Sequence, residues 1–261
     1  MVKQAMLFAS NQTAALIAEN WSRVQDEVAT TVQQSGRSID DVLIIGVSKY
    51  VDVDLTAQLV DAGCHVLGEN RPQNLWGKAE NLRQTNRQID WHLIGHLQRN
   101  KIRRTLPHIS WLHSLDSLRL AEALNAELAA IRDSVQAQSE SASAESFGPL
   151  NVLLEVNVTQ DTTKTGMLVD ALPAVLEQLL ELPNICVRGL MAMSSRELGG
   201  ELTRKEFETV RHLRDSLQVR CGSKAVLDQL SMGMSGDYRE AISEGATMIR
   251  IGSSIWRGIL P

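Results

Sequence analysis

Strand-length apolar runs alternate with amphipathic segments along most of the chain, and this alternation constrains the fold more than any other feature. Eight runs rich in Val, Ile, Leu and Met have the length of strands, at residues 42–49, 65–70, 90–96, 111–115, 150–158, 186–193, 229–235 and 248–255. Segments with helical periodicity separate most of them, at residues 54–62, 117–131, 168–180 and 201–217. Near-continuous apolar strands between amphipathic helices are typical of a parallel sheet covered by helices.

Eight such units predict an α/β protein with the architecture of a (β/α)8 TIM barrel, which takes about 250 residues. The chain has 261 residues, and we expect residues 1–261 to form one domain. An open, doubly wound parallel sheet is the alternative architecture. The periodic stretch at residues 4–34 precedes the first strand and predicts an extra N-terminal helix on the outside of the barrel.

One segment interrupts the rhythm of strands and helices. Residues 136–146 (QAQSESASAES) are rich in Ser, Ala and Glu and contain no large apolar side chain. This composition is typical of a solvated segment, and it predicts a flexible loop insertion at residues 136–148. It is not read as a domain boundary, because four strands on either side would each leave half a barrel open.

Charge, hydropathy and cysteine usage exclude several classes of protein. The 26 basic and 31 acidic side chains give a formal net charge of −5, without the basic excess of a sequence-independent nucleic-acid binder. No stretch approaches the roughly 18 consecutive apolar residues of a membrane-spanning helix, and the N-terminus does not resemble a signal peptide. Cys64, Cys186 and Cys221 are sparse and odd in number, which predicts reduced thiols in the cytoplasm.

Lys49 closes the first predicted strand, at the end where barrels of this kind place their active sites. It shares a strand face with Val47 and Ile45, so we expect its side chain to point into the barrel interior. Partial burial disfavours the ammonium and would leave an amine able to form a Schiff base with a carbonyl compound. The alternative is an ordinary solvent-facing lysine at a strand end.

Two small-residue clusters at the ends of the last two strands predict a phosphate site. Residues 231–237 (SMGMSGD) precede a short helical stretch at 238–245, and residues 250–254 (RIGSS) end the eighth strand. Glycines permit close backbone approach, and serine hydroxyls and free backbone N–H groups suit an anion. Loops after strands seven and eight often hold phosphate in such barrels.

Three further features of the strand ends allow more than one interpretation. Asn70 lies at the end of the second predicted strand and can hydrogen-bond a ring substituent, or it can belong to a turn that caps a helix. The flexible thioethers of Met191, Met193, Met232 and Met234 can line a planar ligand or fill the core. His92 and His96 lie four apart on a strand, and we expect hydrogen-bonded barrel or loop histidines there and no metal site.

Taken as a set, five motifs resemble those of the pyridoxal-phosphate homeostasis protein family. The motifs are residues 47–49 (VSK), 68–71 (GENR), 91–101 (WHLIGHLQRNK), 231–237 (SMGMSGD) and 250–253 (RIGS). The match runs in unbroken order from about residue 20 to the C-terminus. The resemblance implies the fold-type III barrel of the alanine racemase N-terminal domain and a bound pyridoxal 5′-phosphate (PLP).

The resemblance also implies a role for particular side chains. Lys49 would hold the PLP aldehyde covalently as an internal aldimine, Arg250 would face the pyridine nitrogen, and Asn70 would lie beside the ring. The implied cofactor-binding set is Lys49, Asn70, Ser231, Met232, Ser235, Arg250, Gly252 and Ser253. Ser235, Gly252 and Ser253 would contact the phosphate, with Ser231 a further member. Ser253 stands where the family often has Thr, and a hydroxyl is kept.

Arg250 argues against extensive carbanion chemistry. A protonated guanidinium only donates hydrogen bonds, so it would leave the pyridine nitrogen unprotonated and the ring a weak electron sink. A racemase also needs a second acid or base, which in alanine racemase is a tyrosine from another domain. This chain has only Tyr50 and Tyr238. We therefore expect no catalytic residues and a protein that is not an enzyme.

The sequence thus predicts a cytoplasmic, monomeric PLP-binding protein that acts in PLP homeostasis and influences amino-acid and keto-acid metabolism. Its expected partners are PLP and, beyond that, PLP-dependent apoenzymes or regulatory proteins. The alternatives are a PLP-dependent amino-acid racemase that uses Lys49 as its base, and a binding module whose PLP-loaded state is read by a protein partner.

Overall fold

The computed structural model describes residues 2–85, 87–138, 148–158, 165–195 and 200–260. Its centre is a closed parallel barrel of eight strands in the order β1-β2-β3-β4-β5-β7-β8-β9, in which β9 pairs again with β1. The strands are β1 (Leu43–Val47), β2 (Val66–Glu69), β3 (Asp90–Leu93), β4 (Trp111–Leu115), β5 (Leu150–Asn157), β7 (Ile185–Met191), β8 (Gln229–Met234) and β9 (Met248–Ile251). A two-residue strand, β6 (Met167–Leu168), pairs with the carboxyl end of β5. The predicted (β/α)8 barrel is confirmed, and the doubly wound alternative is wrong because the sheet closes.

Helices follow the strands and cover the outside of the barrel. They are α1 (Val2–Gln34), α2 (Val53–Asp61), α3 (Pro72–Arg83), α4 (Ile102–Thr105), α5 (Leu118–Gln138), α6 (Leu172–Leu179), α7 (Gly200–Cys221) and α8 (Tyr238–Ser243). Local chemistry explains where two of them begin. Asp52 caps α2, because its carboxylate accepts a hydrogen bond from the Leu55 N–H. Pro72 opens α3, at the first position, where its missing N–H costs nothing.

The eight predicted apolar runs coincide with the eight barrel strands, and the strands end earlier than several of the runs. The run at 90–96 is the clearest case, because β3 ends at Leu93. Beyond it the backbone at Gly95 approaches Asn70 so closely that a Cβ there would lie 2.2 Å from the Asn70 carbonyl oxygen. The carboxyl-terminal parts of such runs therefore leave the sheet and form the mouth of the barrel.

The apolar core has two parts, one on each face of the sheet. The larger part lies between strands and helices and includes Leu67, Leu112 and Phe207. The smaller part fills the inside of the barrel with Ile45, Leu153, Met191 and Met248. The barrel interior is thus packed and is not a pore, and the polar groups that reach it do so above or beside this apolar layer.

The extra N-terminal helix, α1, lies outside the barrel and contacts α2 and α8, as predicted. The Asn20 side chain on α1 donates hydrogen bonds to the carbonyl oxygens of Ile255 and Arg257, both at 2.9 Å. Trp256 in turn donates from its indole nitrogen to the Val47 carbonyl oxygen at 2.8 Å. The last residues of the chain are therefore fastened both to α1 and to the end of β1.

The predicted loop insertion at residues 136–148 lies mostly outside the described residues. Helix α5 continues through Gln138, and the description resumes at residue 148. The loop therefore stays a prediction for residues 139–147. Within the described ranges, no helix is both long enough and apolar enough to cross a membrane.

Candidate functional site

Lys49 follows the last residue of β1 by two positions and lies at the mouth of the barrel. Its side chain is partly buried, and its Nζ atom lies 4.8 Å from the centre of the Tyr50 ring. The residues below it on the same strand face, Ile45 and Val47, are buried, and Ile45 belongs to the barrel interior. This placement agrees with a lysine that reaches the mouth from the inner face of β1.

A buried ion pair between Lys78 and Glu69 connects the backbone just after β1 with the end of β2, next to Lys49. The Lys78 ammonium, on α3, donates to the Ser48 carbonyl oxygen at 2.6 Å and to Glu69 Oε2 at 2.7 Å. Glu69 ends β2, and its other carboxylate oxygen accepts from the Asn70 N–H at 2.9 Å. Both charged side chains are buried. We call Ser48, Lys49, Glu69, Asn70 and Lys78 the lysine side of the mouth.

Two polar atoms of the lysine side are buried without a hydrogen-bond partner among the described residues. They are the Asn70 side-chain oxygen Oδ1 and the Ser48 hydroxyl oxygen. An unsatisfied buried polar group costs about 1–3 kcal/mol, so such groups normally face a ligand or an ordered water. Each of these two groups can therefore accept or donate a further hydrogen bond, with an ordered water or a bound molecule as the partner.

The neighbouring wall of the mouth is made of small residues after β8 and β9. The Ser235 hydroxyl accepts hydrogen bonds from the backbone N–H of Gly252 at 3.1 Å and of Ser254 at 3.4 Å. Ser253 between them is exposed, and a cavity of about 220 Å³ borders Ser235, Gly236 and Ser254. The same cavity also borders the acidic side chains of Glu27, Asp237 and Glu240 and the basic side chains of Arg239 and Arg257. We call Ser235 and Gly252–Ser254 the serine side. Its own groups are neutral hydroxyls and backbone N–H groups, a combination that suits an anion such as phosphate.

A left-handed glycine shapes the approach to the serine side. Gly233 has a φ of +95°, and a Cβ there would lie 2.6 Å from the Cβ of Ala241 on α8. The pairing of β8 with β9 shifts register between Ser231 and Met234 at the same place. The Asp237 carboxylate then fixes the turn, because it accepts hydrogen bonds from the Met234 N–H at 2.6 Å and from the Ser194 hydroxyl.

Arg250 is buried inside the barrel on β9. Its guanidinium donates to the carbonyl and hydroxyl oxygens of Ser231, both at 2.7 Å, and to the Ala192 carbonyl oxygen at 3.0 Å. Burial lowers the pKa of Arg250 to about 10, against the opposing charges of Asp237 and Glu155. The group therefore remains a cation at neutral pH, held by neutral oxygens of Ser231 on β8 and of Ala192, the residue after β7.

The structure places most of the predicted site residues at the ends of neighbouring strands. β1 pairs with β2 and β9, and β9 pairs with β8, so the lysine and serine sides adjoin. A Cβ at Gly252 would lie 3.4 Å from the Val47 Cβ, which shows how closely the two walls approach. The binding roles predicted for Lys49, Asn70, Ser235 and Ser253 stay predictions.

Ser231 and Met232 do not lie with these residues. Ser231 is the third residue of β8 and is fully buried below the mouth. Its hydroxyl group is hydrogen-bonded to Arg250 and to His113. The Met232 side chain is fully buried in the core between strands and helices. Ser235 is close to them in the sequence and belongs to the serine side, but the side chains of Ser231 and Met232 are buried away from the mouth.

Two buried polar residues near the mouth are missing from the predicted set. Glu155 on β5 accepts a hydrogen bond from the Thr165 hydroxyl at 2.6 Å. Burial raises the pKa of Glu155, and the nearby charge of Asp116 adds to the shift. His113 on β4 is fully buried and hydrogen-bonded at both ring nitrogens. The sequence signal for each is a polar residue within a mostly apolar strand.

The two histidines singled out by sequence have different surroundings. His92 is buried, and its two ring nitrogens contact His113 and Asp90. His96 is exposed over 58% of its side chain and lies 3.0 Å from Asp116 Oδ2. Among the described residues, no three or more His, Cys, Asp or Glu side chains are grouped to hold a metal ion.

Comparisons with known proteins agree on one family. Residues 17–259 match the family model described as "Alanine racemase, N-terminal domain". The chain is 32% identical to the pyridoxal phosphate homeostasis protein of Escherichia coli (strain K12), over 92% of this chain and 95% of the relative. It is 35% identical to the protein of the same name from Pseudomonas aeruginosa (strain PAO1), over 92% of this chain and 94% of the relative.

Solved structures agree with this result. The structure of PipY from Synechococcus elongatus PCC7942 with PLP bound has a TM-score of 0.77 and 30% identity, and covers 92% of this chain and 99% of PipY. An alanine racemase of Clostridium difficile 630 has a TM-score of 0.64 at 14% identity, covering 89% of this chain and 58% of the racemase, which supports the fold alone. The chain belongs to the pyridoxal phosphate homeostasis protein family, whose barrel is that of the alanine racemase N-terminal domain.

Proposed function

We propose that this protein binds PLP at the mouth of its barrel, with a covalent bond through Lys49, and acts in PLP homeostasis. The observation that carries the proposal is the junction of the lysine and serine sides at adjoining strand ends. A primary amine, an unpaired Asn70 amide oxygen and an anion cradle of N–H groups and hydroxyls meet there. PLP presents an aldehyde, a substituted ring and a phosphate, which match these three groups.

The unpaired atoms of the lysine side test the fit to this cofactor. Asn70 Oδ1 and Ser48 Oγ are buried beside the position of Lys49, so a ring bearing a polar substituent would relieve their burial cost. Lys49 Nζ makes no salt bridge with a carboxylate of the described residues and lies over the Tyr50 ring. The amine is therefore not tied up by an anion, as a nucleophile requires.

When bound, PLP supplies an aldehyde carbon that joins a primary amine, with the aldehyde oxygen leaving as water. Lys49 is the amine in this proposal. Ser235, Gly252 and Ser253 hold the phosphate, and Asn70 orients the ring. In this proposal Ser231 acts through Arg250 and does not contact PLP, because its hydroxyl oxygen accepts a hydrogen bond from the Arg250 guanidinium. We give Met232 a packing role, since its side chain lies in the core.

Arg250 favours a carrier over an enzyme. As a buried cation that only donates hydrogen bonds, it would keep the pyridine nitrogen it faces unprotonated, so the ring would stabilise a carbanion poorly. A racemase also needs a second acid or base across the substrate. Tyr50 is 72% exposed on the lysine's own side, and the Tyr238 hydroxyl donates to Glu27 on α1. Neither tyrosine is positioned for that role.

For the cell, we propose that the protein is a cytoplasmic monomer that takes up and releases PLP, and so affects amino-acid and keto-acid pools. PLP-dependent apoenzymes or regulatory proteins would be its partners. The free thiols of the buried Cys64 and Cys221 are compatible with a reducing compartment.

The proposal is tested by the visible absorbance of the purified protein mixed with PLP. We expect a Schiff-base band that is absent from Lys49→Ala and present in the matched control Lys224→Ala, whose lysine is exposed on the barrel's outside. Borohydride reduction followed by peptide mass mapping should then place the adduct on Lys49. A band that persists in Lys49→Ala, or an adduct on Lys164, which lies outside the described residues, would show that another amine is used.

The enzyme alternative is tested with a chiral assay of L-amino acids and PLP. We expect no saturable racemisation by the wild-type protein. Turnover that Lys49→Ala abolishes and Lys224→Ala keeps would replace the carrier by a racemase.

A further inference from the structure

A chain of buried polar side chains runs through the barrel interior to Arg250. It begins at Asp90, the first residue of β3, whose carboxylate lies 3.4 Å from His92 Nε2. His92 Nδ1 lies 2.9 Å from His113 Nε2, and His113 Nδ1 lies 2.8 Å from the Ser231 hydroxyl oxygen. Arg250 donates to that same oxygen at 2.7 Å.

This chain is unusual because it crosses the barrel. His92 and His113 lie on the neighbouring strands β3 and β4, and Ser231 and Arg250 lie on the neighbouring strands β8 and β9. The contact between His113 and Ser231 joins the two pairs through the interior, between residues 118 positions apart in the sequence. Except for Asp90, which is 44% exposed, every member is buried.

With both histidine rings neutral, the Asp90 carboxylate fixes the direction of every hydrogen bond, and Arg250 is compatible with that direction. At one end Arg250 can only donate, so the Ser231 oxygen accepts, and its hydroxyl proton is free to point to His113 Nδ1. At the other end a carboxylate can only accept, so His92 must carry its proton on Nε2. His92 Nδ1 then accepts from His113 Nε2, and all donors in the chain point from Arg250 towards Asp90.

With a neutral His92, the reverse order would place two acceptors face to face. If His113 donated from Nδ1 to Ser231, then His92 would donate from Nδ1 to His113 and present a bare nitrogen to Asp90, unless it carried a second proton. Burial opposes ionisation of Asp90, but hydrogen bonds from His92 and Ser110 lower its pKa, so it is a carboxylate at neutral pH. Burial also lowers the pKa of His113 well below its usual value, which keeps that ring neutral and able to accept at Nδ1.

We propose that His113, supported by His92, is a positioning residue for Arg250 that acts through the Ser231 hydroxyl. The inference rests on the proposed function, in which Arg250 faces the ring nitrogen of PLP. An arginine side chain has many rotamers, and its direction is set by the oxygens that receive its N–H groups. With its proton drawn towards His113, Ser231 presents a lone pair to the guanidinium, which fixes the guanidinium and leaves the other Arg250 N–H groups available to a ligand.

The first experiment needs no cofactor. Long-range ¹H–¹⁵N NMR of the PLP-free protein reports which ring nitrogen of each histidine is protonated. We expect His92 and His113 each to carry one proton, on Nε2, with signals assigned by His92→Gln and His113→Asn. A proton on His113 Nδ1 would reverse the chain and overturn the inference.

The second experiment measures PLP. In His113→Leu we expect PLP to bind about tenfold more weakly, as for loss of a hydrogen bond next to a charged group, and its absorbance maximum to shift. His113→Asn should restore most of both, because the amide oxygen can replace Nδ1 as the acceptor for Ser231. The control Leu112→Ala, on the same strand but facing the helices, should lower stability and leave the absorbance maximum unchanged.

The outcomes separate the two proposals. Failure of the wild-type protein to bind PLP would overturn the proposed function, and the NMR result would still decide the direction of the chain. If the wild type binds PLP, and His113→Leu matches Leu112→Ala in affinity and absorbance, the proposed function survives and His113 is a packing residue only.

Discussion

The two walls of the barrel mouth are built by different means. The lysine side rests on charge, since Lys78 reaches from α3 to a carbonyl of one strand end and to a carboxylate of the next. The serine side carries no charged side chain and rests on backbone shape, with N–H groups of Gly252 and Ser254 directed at one hydroxyl. A buried ion pair thus supports the segment that carries Lys49, and backbone N–H groups shape the segment proposed to bind an anion.

This difference has a physical reason. A carboxylate near a phosphate would repel it, so an anion cradle is best made from neutral donors. Beside Lys49, the buried cation of Lys78 is neutralised by Glu69, so the pair can fix the backbone without adding a net charge next to the proposed phosphate site. Substitutions should therefore destabilise the lysine side by leaving a buried charge without its partner. They should destabilise the serine side by distorting its backbone.

The largest effect is expected from Lys78→Met on the lysine side. The substitution leaves Glu69 buried without its cation and Ser48 O without its donor, which should lower the free energy of unfolding by about 3–5 kcal/mol. Urea unfolding followed by circular dichroism measures the loss.

A matched double variant isolates the charge. Lys78→Met with Glu69→Gln removes both charges and keeps an acceptor for the Asn70 N–H, so it should recover more than half of the lost stability. If the single variant lies within about 1 kcal/mol of the wild type, the lysine side does not depend on this pair.

A smaller effect is expected from Gly233→Ala, which strains the approach to the serine side. The left-handed φ of +95° and the close Cβ of Ala241 should together cost about 2–4 kcal/mol and weaken PLP binding as α8 moves. Gly236→Ala is the control, because a Cβ there meets no atom within 4 Å. Thermal unfolding should separate the two, and equal behaviour would contradict a serine side shaped by its backbone.

The smallest effect concerns charges that support the serine side from outside. Glu244 follows α8 and accepts from Arg204 at 2.6 Å and from Arg211 at 3.0 Å, both on α7. Burial would raise the pKa of Glu244, but hydrogen bonds and charges from these arginines bring it below 4.5. Its stabilisation is therefore present above that pH and is lost as the pH falls through the lowered folded-state pKa.

Glu244→Gln removes this pH-dependent contribution. We expect a loss of about 1 kcal/mol at pH 7, discounted for the partly exposed arginines, and a shallower decline of stability below pH 4.5 than in the wild type. Urea unfolding at pH 7 and at acid pH measures both. Parallel declines in the two proteins would show that α8 is not held through Glu244.

The barrel could be predicted from the sequence because its strands are buried on both faces. Such strands read as apolar runs, and β4 begins and ends where the run at 111–115 does. Helix α3 carries a weaker signal, since Lys78 is buried on it where an apolar residue would be expected. A charged residue looks solvent-exposed in a sequence until its partner is known.

The mouth was predictable only in part. Lys49 and the residues of the serine side follow predicted strand ends, so their common location follows from the fold. The ion pair of Glu69 and Lys78 and the contact of His113 with Ser231 are tertiary contacts, and no local pattern indicates them. Ser231 lies low enough on β8 to be taken up by Arg250 and His113, and the register shift that follows it before Met234 is not revealed by spacing alone.

The hydrogen bond from Trp256 to Val47 has a consequence for how the protein is made. It joins positions 209 residues apart, at the seam where β9 closes the barrel against β1. A ribosome releases the lysine side well before the serine side, and contacts this distant in sequence form slowly. Under the proposed function, the chain would therefore carry Lys49 long before the proposed phosphate-binding residues are made, so selective PLP binding would have to wait for β9 to close the barrel.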